Sequence, residues 1–536
     1  MRKNRILGLI LAGTLLVGAL AACTTTPPPP AVDTGGTTVT TPTPTPTPGG
    51  TTPTPTPVPA DVEQRPIILA LQSETPSVAP GRHTTLVGHF LHTLTHNGLF
   101  RLEYSNLTPT PDVIDGWTAL SDTLFEFNIT PGIMFHNGEE LTAHDFVASF
   151  AYTRTYPFAV TVHGSIAEAI AIDDFTLHID TGEPNAMLFF DLAHHGNWVM
   201  PRSLIEVGHD FNVNPIGTGP FVFENWDAGN EITFTRNDNY FDADRFPIVP
   251  SLTWRLIPEG SSRTIALETG EIDLIVEVPL PDIPRMQADP AITVFERAGL
   301  TYHSMGMNNE AHPFDNRYVR LAVDLALDKE AMVIASLDGF GIPMWQNVPP
   351  LPGESAVNGG RFDPDAARAL LAEHNLDPAT LGFEMLVSTE EQRRRAEVAQ
   401  ANLADIGIAT TISMMDFATQ LSVTQAGDHQ ASFGAFTSAN LMGFLRGTMH
   451  SDSIGAQNSS RINSPELDAL IDRAIATIDE AERIAVLQEA SALANYIRGV
   501  APNSMNILFR AHNANLRVPE IGANGFMFLN VAYWTE

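Results

Sequence analysis

The 536-residue sequence has one cysteine and little positive charge: 29 lysines and arginines stand against 62 aspartates and glutamates, a net charge of -33. A lone cysteine excludes an internal disulfide and an all-cysteine metal cluster, so Cys23 needs an explanation of its own. The deficit of positive charge excludes a protein that neutralises many phosphates, and with it a nucleic-acid partner. Long apolar runs are also scarce. With 43% hydrophobic residues and mean hydropathy near zero, a multi-span membrane protein is excluded. The chain lacks a Gly-x-Ser-x-Gly elbow, a His-Glu-x-x-His helix, a phosphate loop with its lysine and a credible Cys-His pair, so neither an enzyme nor a cofactor is expected.

What is present begins with Arg2, Lys3 and Arg5, an apolar run over residues 6–20, and the small residues Ala21 and Ala22 before Cys23. This is the pattern of a secretory signal peptide over 1–22, because the run is shorter than the ~20 residues a membrane span needs. Leu20-Ala21-Ala22-Cys23 resembles the bacterial lipobox, which makes Cys23 the expected lipidation site. The protein is then expected at the cell membrane, lipid-anchored on its outer face. Residues 24–60 hold 12 prolines and 15 threonines, too little apolar surface to order a fold. With Cys23 they form a linker over 23–61, and in polyproline II geometry such a stretch reaches on the order of 100 Å. The negative surface of the body that follows keeps it soluble outside the cell.

From 62 onward the composition is that of a globular body. At ~100–200 residues per domain it has room for more than one lobe. Ile67-Ile68-Leu69-Ala70-Leu71 reads as a buried opening strand, and a helix is predicted over 84–96 with Phe90 and Leu94 on one face. Alternation predicts strands at 124–130, 231–236 and 251–257. Helices are predicted at 142–152, 262–268, 316–337, 364–374, 391–405, 465–475 and 479–497. Strands alternating with helices imply an α/β protein.

Two groups of residues invite a chemical reading. His89, His92 and His96, at i, i+3 and i+7 of the predicted helix, supply three imidazoles of the kind that hold zinc or nickel. No carboxylate follows in metalloprotease spacing, so they are read as solvent-facing or cleft-lining, with no metal expected. His194 and His195 are adjacent, and neighbours on a regular element point apart, so they are not read as a chelate. Gly217-Thr218-Gly219-Pro220 reads as fold-forming backbone, with positive φ a reason for its glycines.

Several segments, in order, resemble the extracellular solute-binding proteins of family 5, the substrate-capture lipoproteins of peptide, nickel and related ABC importers. They are His96-Asn-Gly-Leu-Phe100, Pro111-Asp-Val-Ile-Asp-Gly-Trp117, residues 125–146, Asn214-Pro-Ile-Gly-Thr-Gly-Pro-Phe221, residues 266–274, 307–329, 362–371 and 403–408. The resemblance implies a three-lobed, type II-like periplasmic binding fold with a ligand cleft between two large lobes. Lobe I would comprise 62–100, 205–302 and 512–536, lobe II 101–204, and lobe III 303–511. It implies capture of an oligopeptide-like or related small solute, delivery to the permease subunits of an importer, and a monomer. Same-fold sensory or chaperone-like modules stay open as the alternative.

Peptide binders of this family place an aspartate after a tryptophan-containing strand, where it pairs with the peptide ammonium. The matching stretch here, residues 432–446, has Phe436 nearest the tryptophan and Ser438 or Ala439 at the carboxylate position. A buried ammonium without a counter-charge is costly. Free-amino-terminal peptides are therefore disfavoured, and modified peptides, opines, sugars or nickel chelates stay open. The expected ligand contacts are Ser438 and Asn440 as polar partners, Arg446 as an anion clamp, and His195 and Trp198 from the facing lobe.

Overall fold

A computed structural model describes residues 62–536 apart from 83–84, 104–106, 157–162, 356–360, 520 and 526. The signal sequence, Cys23 and the Thr/Pro linker lie outside the described residues. Among those described, no helix is long and apolar enough to cross a membrane.

Strand β1 (Ile67–Leu71) is apolar throughout because it lies inside a sheet, parallel to Ser251–Leu256 on one side and to Leu274–Ile275 on the other. Ser251–Leu256 continues antiparallel into Glu231–Arg236 and Phe221–Asp227. In the other direction the sheet passes through two long strands, β2 (Ile292–Met307) and, at the far end of the chain, Val500–Asn513. Beyond β2 come β3 (Ala431–Thr437), Phe383–Val387 and Thr410–Met414. Val500–Asn513 is called β4. One 11-stranded sheet thus runs through the body.

Its middle is thin. β2 pairs with β3 only over Thr301–Met307, and β4 pairs with Leu274–Ile275 only through Ala511 and His512. Between them β2 and β4 run as an antiparallel ribbon flanked only by the short strand Gly341–Pro343, and the register slips between Ala298 and Tyr302.

Apolar cores lie on either side of this ribbon. One gathers β1, Phe221, Phe234 and Trp254 under helix α1 (Leu86–Thr95) and includes Leu516 and Trp534 near the C-terminus. Helix α1 is capped by the Thr85 hydroxyl, which accepts from the Gly88 amide, and it buries Phe90, Leu91 and Leu94, each worth about 1.5–3 kcal/mol. The Phe90 ring stacks on Trp254 at 4.9 Å. Beyond the ribbon, helices Arg317–Ala326 and Glu390–Asp405 pack with β2 and β3, and helices α2 (Leu441–Thr448), Pro465–Ala476 and Glu480–Ile497 form a neighbouring core. A separate four-stranded antiparallel sheet, ordered Ile114–Ala119, Leu124–Ile129, Thr176–Asp180, Glu168–Ala171, packs with helix Ala143–Thr153.

The single helix expected over 316–337 is two, Arg317–Ala326 and Lys329–Leu337. Asp328 breaks it by capping the second, its carboxylate accepting from the Ala331 amide. The tight backbone expected at Gly217 and Gly219 is present, but without the positive φ that glycine permits. A Cβ at either would collide with the backbone of α1 at Leu94, Thr95 or His96, so glycine is required by close approach.

Candidate functional site

A cavity of about 340 Å3 lies between the four-stranded-sheet region and the helical region beyond the ribbon. One wall is aromatic: Phe100, Trp117, Phe189 and Phe190, with Trp117 and Phe189 centred 4.7 Å apart. The opposite wall is made by Asn440, Leu441 and Met442 at the start of α2 and by Ile478, Glu480, Arg483, Ile484 and Leu487. Beside it the two regions touch, the Ala186 amide donating to Ile475 O at 2.7 Å. The volume and the apolar lining with few polar groups are those of a small-solute site.

The polar groups divide by role. Ser438 Oγ donates to Asn440 O at 2.8 Å, and Asn440 Oδ1 accepts from the Gly443 amide at 2.7 Å, capping α2. Asn440 thus lines the cavity while its Oδ1 is engaged in the cap. Arg483 donates to the Thr477 and Ile478 carbonyls at 3.2 and 2.8 Å, and burial lowers its pKa against the opposing pull of Glu480 and Asp479. Glu480 is exposed to solvent.

The five residues expected at the ligand are not brought to one place. Asn440 lines the cavity, and Ser438 supports it from two residues away. Arg446, on α2, does not line it: its exposed guanidinium is shared between Asp472 at 3.3 Å and Asp452 at 3.1 Å. His195 and Trp198 lie buried against α1, where a Cβ on Gly98 would strike the Trp198 ring. Of the cavity residues, Trp117 closes the Pro111–Trp117 segment of the family resemblance, whereas Phe189, Phe190 and Arg483 carried no motif beyond the paired aromatics at 189–190.

The histidines are likewise rearranged. His92 and His96 are buried, not solvent-facing: His92 Nε2 donates to Val78 O at 3.1 Å, and His96 Nδ1 lies 2.8 Å from Thr95 Oγ1. Burial pushes His96 down to about 3 and His136 to about 4, so both rings are neutral near pH 7. His194 and His195 do not point apart. They sit where extended chain enters a single 3-10 turn, His195–Asn197, and their rings stack at 4.3 Å. The regular-element rule fails there because neither a helix nor a strand holds them.

The glycine-rich loop joins these parts. The Gly219 amide donates to Thr95 O at 3.0 Å, the His136 amide donates to Gly217 O at 2.8 Å, and Thr218 Oγ1 donates to Asn97 Oδ1 at 3.0 Å. Asn97 Nδ2 in turn donates to Asp112, whose other oxygen accepts from Arg245 at 2.5 Å. The loop is therefore a joint between α1 and the four-stranded-sheet region, away from the cavity walls.

The family model described as bacterial extracellular solute-binding proteins, family 5 (middle), matches residues 108–452. The chain belongs to that family. It is 26% identical over 437 residues to heme-binding protein A of Haemophilus influenzae, covering 74% of this chain and 79% of that one. To di/tripeptide-binding protein 2 of Pseudomonas aeruginosa it is 24% identical over 502 residues, covering 85% and 93%. The solved structure of HbpA2 from Haemophilus parasuis superposes with a TM-score of 0.82 at 22% identity, over 88% of this chain and 100% of that one. The architecture is the type II periplasmic-binding-protein fold. This family 5 protein is the extracytoplasmic binding component of an ABC importer of peptides or other small solutes. It delivers its ligand to a membrane permease and is not an enzyme.

Proposed function

We propose that this family 5 protein captures an oligopeptide-like solute with apolar side chains in the cavity between the aromatic wall and the start of α2. The supporting observation is the lining: rings from Trp117, Phe189 and Phe190 face Leu441, Met442, Ile484 and Leu487, while Thr108, Asn440, Glu480 and Arg483 supply the few polar groups. No carboxylate stands at 438–440, so the favoured ligand carries no free ammonium at that point, and Arg483 is placed to meet a carboxylate.

The cavity belongs to a closing cleft: lobe III (303–511) meets lobes I (62–100, 205–302, 512–536) and II (101–204) about the β2–β4 ribbon. A ligand touching both sides favours the closed state by its differential affinity for it. The protein works as a monomer tethered by lipid on Cys23, at the end of the 23–61 linker.

Native mass spectrometry of the full chain, purified without denaturation, tests the reading, followed by calorimetric titration of wild type and Trp117→Ala with the released solute. Expected are an apolar peptide-like solute at one equivalent and a loss of about tenfold or more in affinity for Trp117→Ala. A sugar in the released fraction, or unchanged affinity in the variant, overturns it.

A further inference from the structure

The cluster that the cavity does not use is the packing of imidazoles between α1 and the turn at 194–198. We propose that His89, His194 and His195 form a binding site for one divalent transition-metal ion of the zinc or nickel class. The ring of His89 is centred 4.5 Å from that of His195 and 5.6 Å from that of His194, and those of His194 and His195 are 4.3 Å apart. One nitrogen of each ring lies within 4.8 Å of the other two. A tetrahedral ion with bonds of about 2.0–2.1 Å places its ligand nitrogens roughly 3.3 Å apart, so the three rings draw in from that spacing to close on it.

The donor set determines the ion. Three neutral imidazoles suit zinc, nickel, copper and cobalt and are poor ligands for magnesium or calcium, which demand oxygen. Three protein ligands leave a fourth position for water. His195 is fully buried, and His92 stacks on its outer side at 5.2 Å. His194 is held in place by the Gly196 amide, which donates to its Nδ1 at 3.1 Å, and ligation exchanges that long bond for a metal bond.

None of the three lines the cavity, so this ion is not the cargo. It clamps helix α1 to a turn more than a hundred residues further along, which ties binding to the stability of that joint.

The test uses the full chain without an added histidine tag, stripped with a chelator and titrated with zinc chloride by calorimetry. A parallel cobalt titration reads the visible absorption of a tetrahedral site. Expected are one equivalent of zinc, a raised melting temperature, and at least tenfold weaker binding in each of His89→Gln, His194→Gln and His195→Gln. His178→Gln, whose ring lies 3.0 Å from Glu126 on the neighbouring strand of the four-stranded sheet, should bind as wild type does. Far-ultraviolet circular dichroism checks folding; should His195→Gln not fold, the other two variants decide. No stoichiometric binding, unchanged affinity in those variants, or an equal loss in His178→Gln overturns the proposal.

Discussion

The cavity and the histidine joint are both polar-apolar mixtures between packed segments, but they are built by opposite rules. The joint is tight: Gly98, Gly217 and Gly219 have no room for a Cβ, and Asn97, Thr218 and Asp112 are each fixed by named hydrogen bonds. The cavity is loose, its aromatic wall including Trp117 at 39% exposure and its polar groups held mostly through helix caps and backbone carbonyls. Of the segments that carry the family resemblance, His96–Asn97 and Asn214–Phe221 build the joint, whereas Phe100 and Trp117 reach the cavity wall.

The largest break in that comparison comes from the joint. Gly219→Val places a side chain into the Thr95 and Leu94 backbone and should cost about 3 kcal/mol in chemical denaturation, at the upper end of overpacking effects. A loss below about 1 kcal/mol would mean the joint yields as easily as the cavity.

Acid sharpens the contrast next. His96 and His136 titrate near 3 and 4 in the folded state but near 6.5 when unfolded, so the unfolded chain binds more protons between those values. Stability should fall as pH drops from about 6.5 to 4, by up to roughly 3 kcal/mol per ring. His136→Gln should flatten the slope in urea denaturation followed across that range; an unchanged slope contradicts the burial argument.

The smallest effect belongs to Arg446→Ala. Its ion pairs with Asp452 and Asp472 are exposed, so stability should move by less than about 0.5 kcal/mol. Ligand affinity in calorimetry should stay within twofold; a tenfold loss would bring Arg446 back to the ligand.

Legibility in the sequence followed the range of the forces involved. Helices announced themselves through local signals: Thr85, Asp363 before Pro364, Ser464 before Pro465 and Asp479 all cap where the hydrophobic pattern begins. β2 and β4 gave no clean alternation, because each changes its neighbours along its length and passes from one core to the next. The cavity was hidden for a related reason: Trp117 and Arg483 line it from more than 360 positions apart, and no local pattern encodes such a pairing. The stacked His194 and His195 escaped because their geometry belongs to a single irregular turn.

The β2–β4 ribbon also sets a timetable. β4 borders Leu274–Ile275 at one end and β2 along its length, and the first core needs Leu516 and Trp534 as well. A chain emerging N-terminus first therefore cannot finish its earliest lobe until nearly all of it has arrived, however complete β1 and α1 are by then. Such long-range closure slows folding and leaves the emerging chain open, the condition in which a polypeptide is threaded across a membrane. Loss of the last few dozen residues would then spoil the first lobe as surely as the last.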